Sequence, residues 1–164
     1  MNLTGLVEFV STTAEQVFAS LGALYPMYFM ETDEGEPLIV PEPPGDKDES
    51  VALLREYMST QNVVRYVSVK ESWTVHLIAT TTADVTKAVA DINSMGGCQA
   101  HPNRVEVLLL VGEDSSEGWR SYHRDVVRIP GKPARLGPLV RDQYTQSEGR
   151  FVGLLPLPEG VRLQ

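Results

Sequence analysis

A chain of 164 residues is long enough to bury a sizeable core and short enough to form one domain. Its net charge of −8 disfavours a general binder of nucleic-acid backbone or of anionic membranes, both of which need concentrated positive charge. The one cysteine, Cys98, excludes an internal disulfide, and no apolar stretch approaches the ~20 residues of a membrane span. A basic protein partner or a cation remains compatible with the acidity. No basic residue precedes an apolar run at the N-terminus, so no signal peptide is expected. The expected compartment is the cytoplasm, that of the host if the protein is viral.

The first predicted element is a helix over Thr12–Tyr25. It starts on a capping-box pattern, Thr12 with Glu15, and carries Val17, Leu21, Leu24 and Tyr25 at helical spacing until Pro26. Met27–Thr32 is rich in strand formers, Asp33–Glu36 reads as a turn and Leu38–Val40 as the returning strand. After a Pro/Gly-rich loop, Asp46 can cap a second helix with Glu49 at its third position and an apolar stripe of Val51, Leu54, Tyr57 and Met58. This helix should end near Asn62.

Val63–Ile78 alternates as a strand does. Val63, Val67, Val69, Trp73, Val75 and Leu77 share one face with Arg65 and Glu71, and the opposite face is largely polar. Over Ala79–Asn103, Val85, Val89 and Ile92 recur at helical spacing before Met95-Gly96-Gly97. The segment is either a crossover helix or an excursion between two adjacent strands. Arg104–Val111 is apolar at five successive positions and should be the central strand, stopping at Gly112. A polar turn, Glu113–Gly118, leads to a strand over Trp119–Ile129. A Gly/Pro-rich connection follows over Pro130–Pro138, and a last short strand over Arg150–Leu155.

The expected fold is therefore α+β: a mainly antiparallel sheet of about five or six strands with two or three packed helices, in a single domain over residues 1–164.

The residue with the sharpest chemical implication is Glu71. A carboxylate on a face with Val69 and Trp73 must protonate or find a cation, and Arg65 and Arg104 are the nearest candidates by pattern. With Glu106 at the entry to the central strand, Glu71, Arg104 and Glu106 could form one polar cluster, serving as an acid–base pair or as an ordinary ion pair. Arg120, Tyr122, Arg124 and Arg128 lie on one face of the Trp119–Ile129 strand. With Trp119 they make either an anion-binding strip or a solvated face.

His76, His101 and His123 lack metal-ligand spacing, Cys98 near His101 being only a faint hint. No metal and no cofactor is expected. Gly-x-Ser-x-Gly and phosphate-binding glycine loops do not occur.

Three stretches, Tyr28-Phe-Met-Glu-Thr32, Tyr66-Val-Ser-Val-Lys-Glu-Ser-Trp73, and Asn103-Arg-Val-Glu-Val107 followed by Glu148-Gly-Arg150, resemble a family of small uncharacterised bacterial and phage proteins. The resemblance makes Ala79–Ala100 a variable insertion, implies no catalytic residues and points to a phage or mobile element as source.

The expected function is non-enzymatic binding of a protein partner, as in a phage accessory or virion-associated factor. The alternative is a small hydrolase or transferase with Glu71 and Glu106 as acid and base beside Arg104. Nucleic-acid binding through the Trp119–Arg128 strip is the third reading.

Overall fold

Leu3, Leu6, Val7 and Val10 repeat at i, i+3, i+4 and i+7, the spacing of one helical face. In the computed structural model, which describes residues 1–76, 81–142 and 154–155, that face opens the first helix, α1 (Leu3–Leu21). The helix thus begins nine residues before the expected Thr12. Its cap is Asn2, whose side chain accepts from the Gly5 N–H at 2.8 Å, while the Thr12 hydroxyl donates to the Glu8 carbonyl from inside the helix. Gly22, in the left-handed conformation at φ 70°, ends α1 by donating its N–H to the Phe18 carbonyl.

The hairpin β1 (Met27–Thr32) and β2 (Pro37–Pro41) follows as expected. Next come α2 (Lys47–Thr60), capped by Asp46 on the Glu49 N–H, and β3 (Val63–Thr74). After β3 lie α3 (Thr82–Ser94), a 3-10 turn over Cys98–Ala100, and β4 (Val105–Asp114). The hairpin partner β5 (Gly118–Val127) and two short strands, β6 (Arg135–Leu136) and β7 (Val140–Arg141), complete the described elements.

The sheet order is β2-β1-β3-β4-β5-β6, with β7 also on the outer edge of β5, and every described pairing is antiparallel. This is the expected α+β architecture. The expected strand over 150–155 falls mostly outside the described residues, as do positions 77 and 78 at the end of the long alternating run. No described helix is long and apolar enough to cross a membrane.

Both faces of the sheet are covered. On one, Leu3, Val7, Val10, Ala14 and Phe18 of α1 pack on Val67, Val69, Leu108, Leu110, Tyr122 and Val126. On the other, Val51, Leu54 and Met58 of α2, with Leu154 and Leu155, cover Tyr28, Met30, Val63 and Tyr66. The face of β3 expected to be polar therefore buries Tyr66 and Ser68. The Tyr66 hydroxyl is satisfied by donating to Glu113 at 2.8 Å, an oxygen that also accepts the Leu154 N–H at 3.1 Å. Burial, ahead of the adjacent Glu113 charge, pushes the Tyr66 phenol well above its ordinary range.

The central strand is β4, flanked by β3 and β5, but it does not stop at Gly112. The glycine is there for space: a Cβ on it would lie 2.9 Å from Leu3 and 3.4 Å from Val7 and Val67. Helix α1 crosses the sheet too closely at this point for a side chain.

Because Thr74 of β3 faces Val105 of β4 in the ladder, the chain between them is an excursion between adjacent strands, not a crossover. Val85 and Val89 of α3 point to solvent and only Ile92 is buried. Replacing residues 79–103 by a short Gly/Ser linker should therefore keep a cooperative fold, at a cost of about 1 kcal/mol or less. Urea unfolding checks this, and a non-cooperative or unfolded product would contradict it.

Candidate functional site

The end of α1 and the short link 22–26 leave a groove against β1 and β3. Its volume is about 610 Å³, within the range of ligand pockets. Ala14 and Val17 of α1, Leu24 of the link, and Met27, Phe29 and Val69 of the strands make its apolar wall, and among the described residues Glu71 is its charged lining residue. The strongly exposed Leu21 and Tyr25 stand at its mouth. Gly22 ends α1 and Pro26 precedes β1, so the chain turns from the helix into the strand within a few residues, and Tyr25 points out to solvent instead of filling the space.

Glu71 points to this edge, but it is exposed rather than enclosed, because β3 runs past the cover of α1. Its cation is neither Arg65 nor Arg104. Arg128, just after β5, approaches Glu71 at 3.6 Å and grips Glu106 with two bonds, Nε–Oε2 at 2.8 Å and Nη2–Oε1 at 2.7 Å. Its Nη1 donates to the Gly22 carbonyl at the end of α1, where a cation also meets the negative end of the helix. Hydrogen bonding to Glu106 holds the Arg128 guanidinium above its ordinary range.

Arg104 instead lies over the Trp73 ring, 5.2 Å from its centroid, and Trp73 is exposed rather than inward-facing. The expected cluster is thus corrected: the two glutamates do converge on an arginine, but one from β5. Since both oxygens of Glu106 are engaged by Arg128, the pair is poorly arranged for the proton exchange an acid–base couple needs.

Arg65 belongs to a second network. Its Nη1 donates to Glu31 at 2.8 Å and its Nε to Asp114 at 2.7 Å. Asp114 also accepts from the Ser116 hydroxyl and N–H and from the Glu117 N–H, closing the β4–β5 turn. Burial would raise its carboxyl, but the Ser116, Arg65 and Glu117 donors outweigh it and bring the value down to about 2.

The strip on β5 is not available to an anion as expected. Arg120, Tyr122, Arg124 and Arg128 do share a face, but α1 lies along it. Arg120 donates to the Thr4 hydroxyl at 3.2 Å and pairs with Glu117. Tyr122 and Arg124 are buried, and Arg124 bonds Ser11, Glu15 and the Gly137 carbonyl. Trp119, at an odd position, falls on the opposite face. The three arginines meet the helix near its start, middle and end, Arg124 buried beneath it and Arg120 and Arg128 reaching its ends from more exposed positions.

On that opposite face the structure brings a distant histidine to a His123–Asp125 pair on β5. His76, beyond the end of β3, lies 3.3 Å from Asp125, and the His123 ring centroid lies 5.5 Å from that of His76, the two rings tilted by 45°. One ligand atom each from His76, His123 and Asp125 lies within 4.8 Å of the others. His101 takes no part; its Nδ1 accepts the Asn103 N–H.

Comparison with protein-family models, with curated proteins and with solved structures finds no match.

Proposed function

We propose that the protein is a non-enzymatic binding protein that holds an apolar anchor of a basic protein segment in the groove between α1, β1 and β3. The observation that carries this reading is an apolar groove of about 610 Å³ in which, among the described residues, Glu71 is the charged lining residue. Charge complementarity selects the occupant. Arg128 is committed to Glu106 at hydrogen-bond distance and stands 3.6 Å from Glu71, so Glu71 keeps acceptor capacity for a lysine or arginine of the partner. The net charge of −8 favours the same kind of partner and speeds its approach.

Leu21 and Tyr25, exposed at the mouth, supply apolar contacts of the kind that concentrate binding energy when desolvated. The test is capture from source-cell extract by the intact protein and three variants, with the captured segment located by cross-linking. Leu21→Asp and Glu71→Lys should each weaken capture of one and the same protein by roughly tenfold or more. Leu53→Asp, at an exposed position on α2, should not. The cross-linked segment should carry a lysine or arginine beside an apolar residue. An acidic segment, or capture indifferent to Leu21→Asp and Glu71→Lys, would refute the proposal.

A further inference from the structure

We propose that His76, His123 and Asp125 form a binding site for one divalent transition-metal ion of the zinc class, on the sheet face opposite the groove. The chain leaves β3 after Thr74 and carries His76 across β4 to β5, where His123 and Asp125 stand two residues apart on one side of the strand. Asp125 Oδ1 lies 3.3 Å from His76 Nε2 and 4.0 Å from His123 Nε2. Ligand atoms about 2.1 Å from a tetrahedral zinc are ~3.4 Å apart. The arrangement therefore needs side-chain shifts of about 1 Å, and it is His76 and Asp125, each about half exposed, that are free to make them.

A second, independent feature points to a ligand. His123 Nδ1 meets Asp142 Oδ1 at 2.6 Å, and Asp142 Oδ2 accepts the Ser121 hydroxyl at 2.7 Å. A carboxylate can only accept, so the His123 proton sits on Nδ1, and the lone pair of Nε2 is turned towards Asp125 and His76. This carboxylate–histidine arrangement orients an imidazole for a metal and makes it a better ligand. The dyad is anchored: Asp142 follows β7, its N–H donates to the Ser121 carbonyl, and the His123 side chain is largely enclosed.

The donor set names the class of ion. Two imidazole nitrogens and one carboxylate suit zinc and its neighbours in the late first row, whereas magnesium and calcium take oxygen ligands. Three protein ligands leave at least one position for water or an exogenous group, the open type of site rather than the closed four-ligand structural type. The half-exposed His76 and Asp125 give the ion a path from solvent. Without metal, His76 Nε2–H donates to Asp125; when zinc binds at Nε2, that proton leaves to solvent and the half-exposed ring carries its remaining proton on Nδ1.

The experiment is calorimetric titration of chelator-treated protein with zinc chloride, together with long-range 1H–15N spectra of the imidazoles. One zinc per chain should bind, with the Nε2 signals of His76 and His123 both shifting. His76→Ala and Asp125→Asn should each weaken binding at least tenfold. Asp142→Asn, which acts through His123, should weaken it about 10–100-fold and alter the His123 tautomer signals before any metal is added. Excess magnesium should not compete. A dissociation constant weaker than about 1 mM, binding that leaves both imidazole Nε2 signals in place, or equal competition by magnesium would overturn the site. The wild-type spectra decide the matter even if a variant folds poorly.

Discussion

Arg124→Ala should lower folding stability by about 3 kcal/mol, the scale expected when several charge-assisted hydrogen bonds and a buried stem are lost together. Arg124 is only 8% exposed, yet it spans two elements. Its Nε donates to the Gly137 carbonyl at 2.6 Å, and its Nη1 to the Ser11 carbonyl and hydroxyl at 3.3 and 3.2 Å. The partner Glu15 is more than half exposed and contributes little by itself. The main cost is the Gly137 carbonyl left without its donor, together with the cavity under α1. Arg124→Lys keeps a charge but not the planar fork, and should recover less than half of the loss. Guanidinium unfolding would show the midpoint fall with the slope unchanged. Wild-type stability in Arg124→Ala, with weakened binding to a nucleic acid, would instead restore the anion-strip reading.

Asp114 should make the protein acid-sensitive in a defined window. Its carboxyl is held at about 2, against an ordinary value of 3.8, so the folded state favours the ionised form. A group depressed in this way stabilises fully above its unfolded value and loses that contribution as pH falls through its folded value. The contribution, on the order of 2 kcal/mol, is therefore complete above about pH 4 and is lost towards pH 2. At neutral pH, Asp114→Asn should cost about 2–3 kcal/mol, because Arg65 keeps Glu31 alone and the turn loses acceptor strength. Urea midpoints measured across pH should show the gap between wild type and Asp114→Asn closing below pH ~4. A gap that stays constant down to pH ~2 would rule out the proposed role of the carboxylate.

Local signals carried most of the secondary structure. The Asp46–Glu49 cap, the β1–β2 turn and the existence of β3 as a long strand read correctly, since each depends on neighbours a few residues apart, but a register shift against β1 puts Val63 on the face of Tyr66 and not on that of Val67. The start of α1 was misplaced because Thr12 and Glu15 imitate a capping box. The decisive stripe was Leu3, Leu6, Val7 and Val10, and Asn2 ahead of it was the missed cap.

Orientation was harder to read. Alternation put the β5 arginines on one face correctly but could not say which face α1 would cover. A row of arginines looks solvated until one of them, Arg124, is found buried under a helix. Glu71 and Trp73 were read as inward because nothing local says where α1 stops. Of the His76–His123–Asp125 group only the His123–Asp125 pair, two apart on one strand, was local; His76 stands 47 positions before His123 and nothing in the sequence links it to them. The Asp-Ser-Ser-Glu-Gly turn did contain its clue, since Asp is the residue that caps such turns with its own side chain.

The contact of these arginines with α1 also has a consequence during biosynthesis. Thr4, Ser11 and Gly22 emerge first, but the residues that hold them, Arg120, Arg124 and Arg128, are made more than a hundred positions later. At ~5–20 residues per second the ribosome needs roughly 10 s to deliver β5 after α1. Phe29, Val67 and Val69 arrive part-way through that interval, but Leu108, Leu110, Tyr122 and Val126, which complete the cover of the Leu3–Val10 stripe, arrive only towards its end. Until β5 is made, α1 is therefore only partly covered, and the sheet closes over it late.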